Sequence, residues 1–100
     1  MKTWYVYIVR CNDGTYYTGI TTNIQRRIDE HNSGQGAKYT RSRTPVELEE
    51  FKRFSSRSDA SKEECRIKKL TRNNKEKLIG EWRVSRLRKK VVFQQSEIKN

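Results

Sequence analysis

The sequence predicts an α+β fold, and three observations predict it: an aromatic β-hairpin near the N-terminus, helical segments with capping signals, and a further alternating stretch between them. The hairpin reads Trp4-Tyr5-Val6-Tyr7-Ile8-Val9-Arg10, then the turn signal Asn12-Asp13-Gly14, then Tyr16-Tyr17-Thr18-Gly19-Ile20-Thr21. Alternation puts Trp4, Val6 and Ile8 on one face and Tyr5, Tyr7 and Val9 on the other. The first is plain core. The second carries hydroxyls that packing alone does not require.

After the hairpin, Thr22-Asn23-Ile24-Gln25 fits a capping box with Thr22 as N-cap, opening a helix to about Ser33 that Gly34 closes. Ile24 and Ile28 form its apolar stripe, and Arg27 and His31, four residues apart, share an adjacent face. The stretch 34–45 contains two glycines, Lys38, Tyr39, Arg41 and Arg43 and has no periodicity, which predicts a mobile basic loop. Val46 to Phe54 alternates and then drifts, which predicts a third strand. Ser58 is the expected N-cap of a helix through Leu70, with Asp59 favourably placed for the macrodipole and Ala60, Ile67 and Leu70 inward. A shorter helix over Asn74 to Gly80 follows, with Leu78 and Ile79 inward. From residue 81 to 100, Trp82, Val84, Leu87 and Val91-Val92-Phe93 are interspersed with arginine and lysine. The chain therefore divides into a domain over 1–80 and a basic tail over 81–100, either a docking helix or a partly disordered arm.

Leu, Ile, Val and Phe together make only 20 of 100 residues, at the border of what a charged chain needs to fold, and seven Tyr and Trp supplement them. Lys and Arg outnumber Asp and Glu by 23 to 12, a formal net charge of +11, so the expected partner is a polyanion: nucleic acid, DNA or RNA, well ahead of an anionic membrane surface. No apolar run is long enough to span a membrane. Met1-Lys2-Thr3 leads straight into a strand rather than a signal-peptide apolar region, so the expected location is the cytoplasm. Cys11 and Cys65 read as free thiols, and a single histidine, His31, argues against a zinc finger.

The tyrosine hairpin, with Tyr5-Val6-Tyr7 and Tyr17-Thr18-Gly19, followed by Arg27 and His31 and later by Glu64-Cys65-Arg66-Ile67, resembles the GIY-YIG nuclease family over about residues 4 to 79. The likeness is to its small stand-alone bacterial members and to the nuclease domain of the structure-specific endonuclease subunit that cuts branched DNA. It implies a small, mainly antiparallel three-stranded sheet flanked by helices. It also implies a divalent-metal-dependent endonuclease that hydrolyses DNA phosphodiester bonds, acting on branched or damaged DNA in repair. The alternative is a nucleic-acid-binding module of the same fold with little or no cleavage. The sequence departs from the family pattern where Tyr5 replaces the first motif glycine and Thr18 fills the middle of the second motif. For a late asparagine, Asn73 and Asn74 are the candidates.

Phosphodiester hydrolysis needs an oriented water, stabilisation of developing charge and help for the leaving oxygen. The resemblance gives Tyr7 the water's proton, provided a nearby cation lowers its pKa below about 10. Tyr17 then orients water or phosphate, Gly19 completes the motif, and Arg27 meets the phosphate oxygens with its planar fork. His31 assists Arg27 or exchanges a proton through Tyr7. Glu64 holds a single Mg²⁺ or Mn²⁺ ion that keeps several waters. On a helical wheel Glu63 lies nearer the apolar stripe and is the alternative ligand. Lys38, Arg41, Arg43, Lys68, Lys69 and Arg72 form the expected phosphate-binding surface, with Tyr39 stacking on an unpaired base. A nuclease this small is expected to rely on a protein partner for substrate choice.

Overall fold

The computed structural model describes residues 2–99, with side chains described up to residue 88. Its elements are β1 (Trp4–Arg10), β2 (Tyr16–Thr21), α1 (Ile24–Asn32), β3 (Glu47–Phe54), α2 (Arg57–Lys68) and α3 (Arg72–Lys99). The sheet has the order β2-β1-β3 and is antiparallel throughout, the α+β arrangement expected. Gly14, at φ +84°, allows the tight turn between β1 and β2. The Asp13 carboxylate accepts hydrogen bonds from the Thr15 amide and hydroxyl and holds that turn.

Strand alternation divides the core in two. Val6 and Ile8 pack with Ala60 and Ile67 of α2 and with Leu78, Ile79 and Trp82 of α3. On the opposite face Tyr7, Val9, Cys11 and Val46 pack with Tyr17, Phe51 and Ile28 of α1. The hydroxyl-bearing face of the hairpin is thus the one that meets α1. Among the described residues no helix is long and apolar enough to cross a membrane.

Several boundaries differ from expectation. The α1 cap is Asn23, not Thr22: its side chain accepts from the Arg26 amide at 3.0 Å, while Gln25 bonds Asp29 instead of reaching back. Asn caps at least as well as Thr, and β2 runs to Thr21, which leaves Asn23 at the helix entrance. Ser56 rather than Ser58 caps α2, accepting from the Asp59 amide at 3.1 Å, and α2 ends at Lys68. The short helix expected over Asn74 to Gly80 is the first part of α3, which passes through Gly80 without a break. Tertiary contacts outweigh the glycine there: Trp82 is buried, and Arg83 and Arg86 reach back to β3. Residues 81–88 continue α3 and are packed against β3, the docking-helix form of the expected tail segment. The side chains of Lys89, Lys90 and Val91-Val92-Phe93 lie outside the described residues.

The drift in the third strand has a local cause. Val9 pairs with Leu48 but Ile8 with Glu50, so Glu49 is an extra residue in a β-bulge. The bulge turns Glu50 onto the face covered by α3, where its carboxylate is 2% exposed. Arg86 grips it through Nε and Nη2 at 3.1 and 3.0 Å, and Arg83 approaches at 3.4 Å. These guanidinium groups hold the Glu50 carboxyl below the usual carboxylate range despite the opposing effect of burial.

The stretch 34–45 is a basic loop without a regular element, as expected, but it is tied down by specific contacts. Arg43 donates to Asp13 at 3.0 Å and to the Tyr39 carbonyl at 2.7 Å, and its own carbonyl accepts from the Asn12 amide. At the far end Asn32 exchanges two hydrogen bonds with the Val46 backbone, tying α1 to the start of β3. These contacts satisfy backbone groups that an aperiodic segment leaves open, and they tie the stretch to the β1–β2 turn at one point and to α1 at its end.

Candidate functional site

Tyr7 lies at the middle of the central strand, directly opposite Gly19 on β2. A Cβ on Gly19 would stand 2.6 Å from Tyr7 Cζ and 2.9 Å from Cε2, so only glycine lets the ring lie flat across the strand. Gly19→Ala pushes the ring out of place, at an expected cost of about 1–3 kcal/mol, read from the urea midpoint. An unchanged midpoint would show that the ring is free to shift.

The Tyr7 hydroxyl is 2.8 Å from His31 Nε2, and His31 Nδ1 is 2.8 Å from the Thr40 hydroxyl. Tyr7, His31 and Thr40 are 1%, 0% and 0% exposed. Burial pushes the Tyr7 pKa up to about 12, aided by the charges of Tyr17 and Glu64 and opposed by Arg27 beside it. The expectation of a cation-lowered Tyr7 pKa is thereby corrected: desolvation outweighs the guanidinium, and Tyr7 carries its proton at neutral pH. Burial, with the nearby Arg27 charge, lowers the His31 pKa against the pull of Glu30, so the imidazole is neutral.

Arg27 and Arg26, equivalent in the sequence, separate here. Arg26 is 59% exposed and stands 3.9 Å from Glu30. Arg27 is half as exposed, donates to Glu30 at 2.9 Å and faces Tyr7. Tyr17 meets the His31 ring edge-on at 5.5 Å between centroids and stacks on Tyr39 at 6.0 Å. The two glutamates of α2 separate as well. Glu63 is held by both Nε and Nη2 of Arg66, at 2.6 and 2.9 Å. Glu64, 23% exposed, stands 3.5 Å from Lys68, whose ammonium lies over the Tyr17 ring, and its charge reaches Tyr7. Tyr7, Tyr17, Arg27, His31 and Glu64 thus gather around one place, fed by β1, β2, α1 and α2.

The expected binding surface is more mixed. Lys38, Arg41 and Lys69 are exposed, and among the described residues no ion pair involves them. Arg43 is occupied by the loop contacts above, and Arg72 by Glu76, the Gly14 carbonyl and the Tyr16 ring. Lys68 belongs with Glu64. The Tyr39 ring is not presented bare: Tyr17 stacks on it and the Arg43 guanidinium lies 4.0 Å from its centroid. Asn73 and Asn74 are exposed in the first turn of α3. Two residues of the site escape sequence reasoning. Thr40 sits in an aperiodic stretch with no pattern to mark it. Gly36 is signalled only by being glycine, yet a Cβ there would meet the His31 backbone at 2.7 Å.

Among the described residues no three His, Cys, Asp or Glu side chains could jointly hold a metal ion. Glu64 offers one carboxylate, a donor set that fits only a hard cation completing its coordination with water and phosphate oxygens.

The chain matches the model of the GIY-YIG catalytic domain over residues 3–77. It is 58% identical to a UPF0213 protein of Halobacterium salinarum, covering 75% of this chain and 97% of the relative. A UPF0213 protein of Staphylococcus haemolyticus is 51% identical over 81% of this chain and 99% of its own. Two solution NMR structures share the fold. A UPF0213 protein of Bacillus halodurans is 47% identical with a TM-score of 0.52, over 78% of this chain and 83% of that one. A protein of E. faecalis is 44% identical with a TM-score of 0.59, over 84% and 90%. With the paired tyrosines, the glycine opposite the first of them and the helical arginine and histidine in place, the chain belongs to the GIY-YIG nuclease family.

Proposed function

We propose that this protein is a divalent-metal-dependent endonuclease that hydrolyses DNA phosphodiester bonds by water attack, with branched or damaged DNA as the substrate. The observation that carries the reading is the buried Tyr7–His31 hydrogen bond with Arg27 beside Tyr7 and the Glu64 charge close enough to act on it. A phosphate drawn in by Lys38, Arg41 and Lys69 meets the Arg27 guanidinium, whose fork neutralises charge on the phosphoryl oxygens. Tyr17 bounds the place where a water accompanying the phosphate lines up. Tyr7 takes that water's proton while passing its own to the neutral His31 imidazole, so no free phenolate has to form at a group with so high a pKa. The charge that develops on His31 is offset by Glu30, which already favours its protonated form. Glu64 is the residue that would hold Mg²⁺ or Mn²⁺, a cation that, when bound, supplies Lewis-acid stabilisation of the phosphoryl and leaving oxygens.

The test is incubation with branched, flapped, nicked and single-stranded DNA and Mg²⁺ or Mn²⁺. Arg27→Ala is expected to lower cleavage by about 10²–10³-fold. Glu64→Gln is expected to remove the metal-dependent activity. Undiminished cleavage in both variants would remove these residues from the site. Wild-type binding that weakens with salt but yields no cut product would make the protein a binding module instead.

A further inference from the structure

A neutral imidazole has a lone pair on only one ring nitrogen, and the proposed proton path works only if that nitrogen is Nε2, the one facing Tyr7. Which nitrogen it is depends on the other side of the ring. Thr40 Oγ1 lies 2.8 Å from His31 Nδ1 and 2.9 Å from the Ala37 carbonyl oxygen. That carbonyl has no proton to give, so the single hydroxyl proton of Thr40 points at Ala37. Toward His31 the Thr40 oxygen can then only accept, which places the imidazole proton on Nδ1. The lone pair is left on Nε2, and the Tyr7 hydroxyl is the donor to it.

We propose that Thr40 is a positioning residue that sets the His31 tautomer and, through it, the direction in which the Tyr7 proton moves. The chain of bonds runs one way only: Tyr7 O–H to Nε2, Nδ1–H to Thr40 Oγ1, Oγ1–H to the Ala37 carbonyl. Its polarity is imposed at the end farthest from the substrate, by a backbone group that cannot reverse. Burial of all three side chains keeps water from substituting for any link. The absence of a side chain at Gly36 brings this part of the loop against the imidazole, since a Cβ there would meet His31 Cγ at 2.8 Å. When His31 accepts the Tyr7 proton, the Nδ1–H bond to Thr40 is already in place and nothing has to reorient. The inference rests on the reading of Tyr7 and His31 as the proton path, but the tautomer can be observed without any cleavage.

The experiment is ¹⁵N NMR of the His31 ring in the full chain, for the wild type, Thr40→Ser and Thr40→Val, alongside pH–rate profiles for cleavage. The wild type and Thr40→Ser are expected to show a protonated Nδ1 and a bare Nε2. Thr40→Val leaves Nδ1–H without an acceptor and is expected to shift the ring toward the Nε2–H form. Cleavage is expected to fall about 10- to 100-fold, the size of effect that hydrogen-bond partners orienting metal-bound histidines have, with Thr40→Ser restoring it. A wild-type ring protonated at Nε2 overturns the proposal whether or not Thr40→Val folds. So does a Thr40→Val variant that keeps both the Nδ1–H form and wild-type cleavage. A tautomer shift in Thr40→Val with no cleavage by the wild type upholds the positioning role and sinks the nuclease reading instead.

Discussion

Tyr7→Phe is expected to lower DNA cleavage by about 10²–10⁴-fold, the range over which a positioned acid–base group contributes. The change keeps the ring that lies across Gly19 and removes only the oxygen between the substrate water and His31. It also strands a buried imidazole lone pair, so the fold is expected to lose about 1–3 kcal/mol, visible in urea unfolding. Undiminished cleavage would mean that protons leave the site by another route. The same relay sets a pH dependence. His31 titrates below 6.5 in the folded protein because it is buried near Arg27, and once protonated it cannot accept from Tyr7. The cleavage rate is therefore expected to be flat above about pH 6.5 and to fall on the acid side as His31 charges. Stability follows with the same sign. The unfolded chain binds the His31 proton first, so the stability from a neutral His31 is complete above about pH 6.5 and is lost as pH falls through the lower folded value. Urea midpoints and pH–rate profiles between pH 5 and 8 check both, and a rate rising toward acid would contradict the relay.

Removing Arg83 and Arg86 together is expected to destabilise the domain by about 3–5 kcal/mol, although both are half-exposed and look like ordinary surface charges. The reason is Glu50. Its carboxylate is 2% exposed, and the two guanidinium groups are its counter-charges, so their loss leaves an ion in the core without a partner. Cutting the other way costs less. With Glu50→Gln the arginines can turn into water, and adding that substitution to the Arg83→Ala, Arg86→Ala chain is expected to recover part of the loss. Chemical unfolding of the variants measures this. A double variant within about 0.5 kcal/mol of the wild type, the usual range for surface substitutions, would show that α3 docks without the clasp.

Much of the architecture is legible because it is written at short range. The period of two in β1 and β2, the Asp-Gly turn and Gly34 at the end of α1 are set by neighbouring residues, and the residue order brings Tyr7 opposite Gly19 once the hairpin closes. Cap positions slipped by one or two residues because Thr22 and Asn23, or Ser56 and Ser58, are all competent caps. Side-chain chemistry alone does not choose between them.

What local pattern leaves open is decided by contacts between distant segments. A helical wheel puts Glu63 nearer the apolar stripe and Glu64 at its margin, without choosing between them; in the fold Arg66 occupies Glu63, while Glu64 pairs with Lys68 and its charge reaches Tyr7. Gly80 reads as a helix end until Trp82 is seen in the core and Arg83 and Arg86 on Glu50. The rise of the Tyr7 pKa, against the pull of Arg27, comes from burial by the packed fold. Residue order thus establishes the hairpin and the α+β class, and the family resemblance picks out the tyrosines, histidine, arginine and glutamate, while the fold separates Arg27 from Arg26 and Glu64 from Glu63. The protonation state of Tyr7 and the polarity of the His31 hydrogen bonds are decided by assembly, because desolvation and the Ala37 carbonyl of the aperiodic segment after α1 act only once the chain has folded.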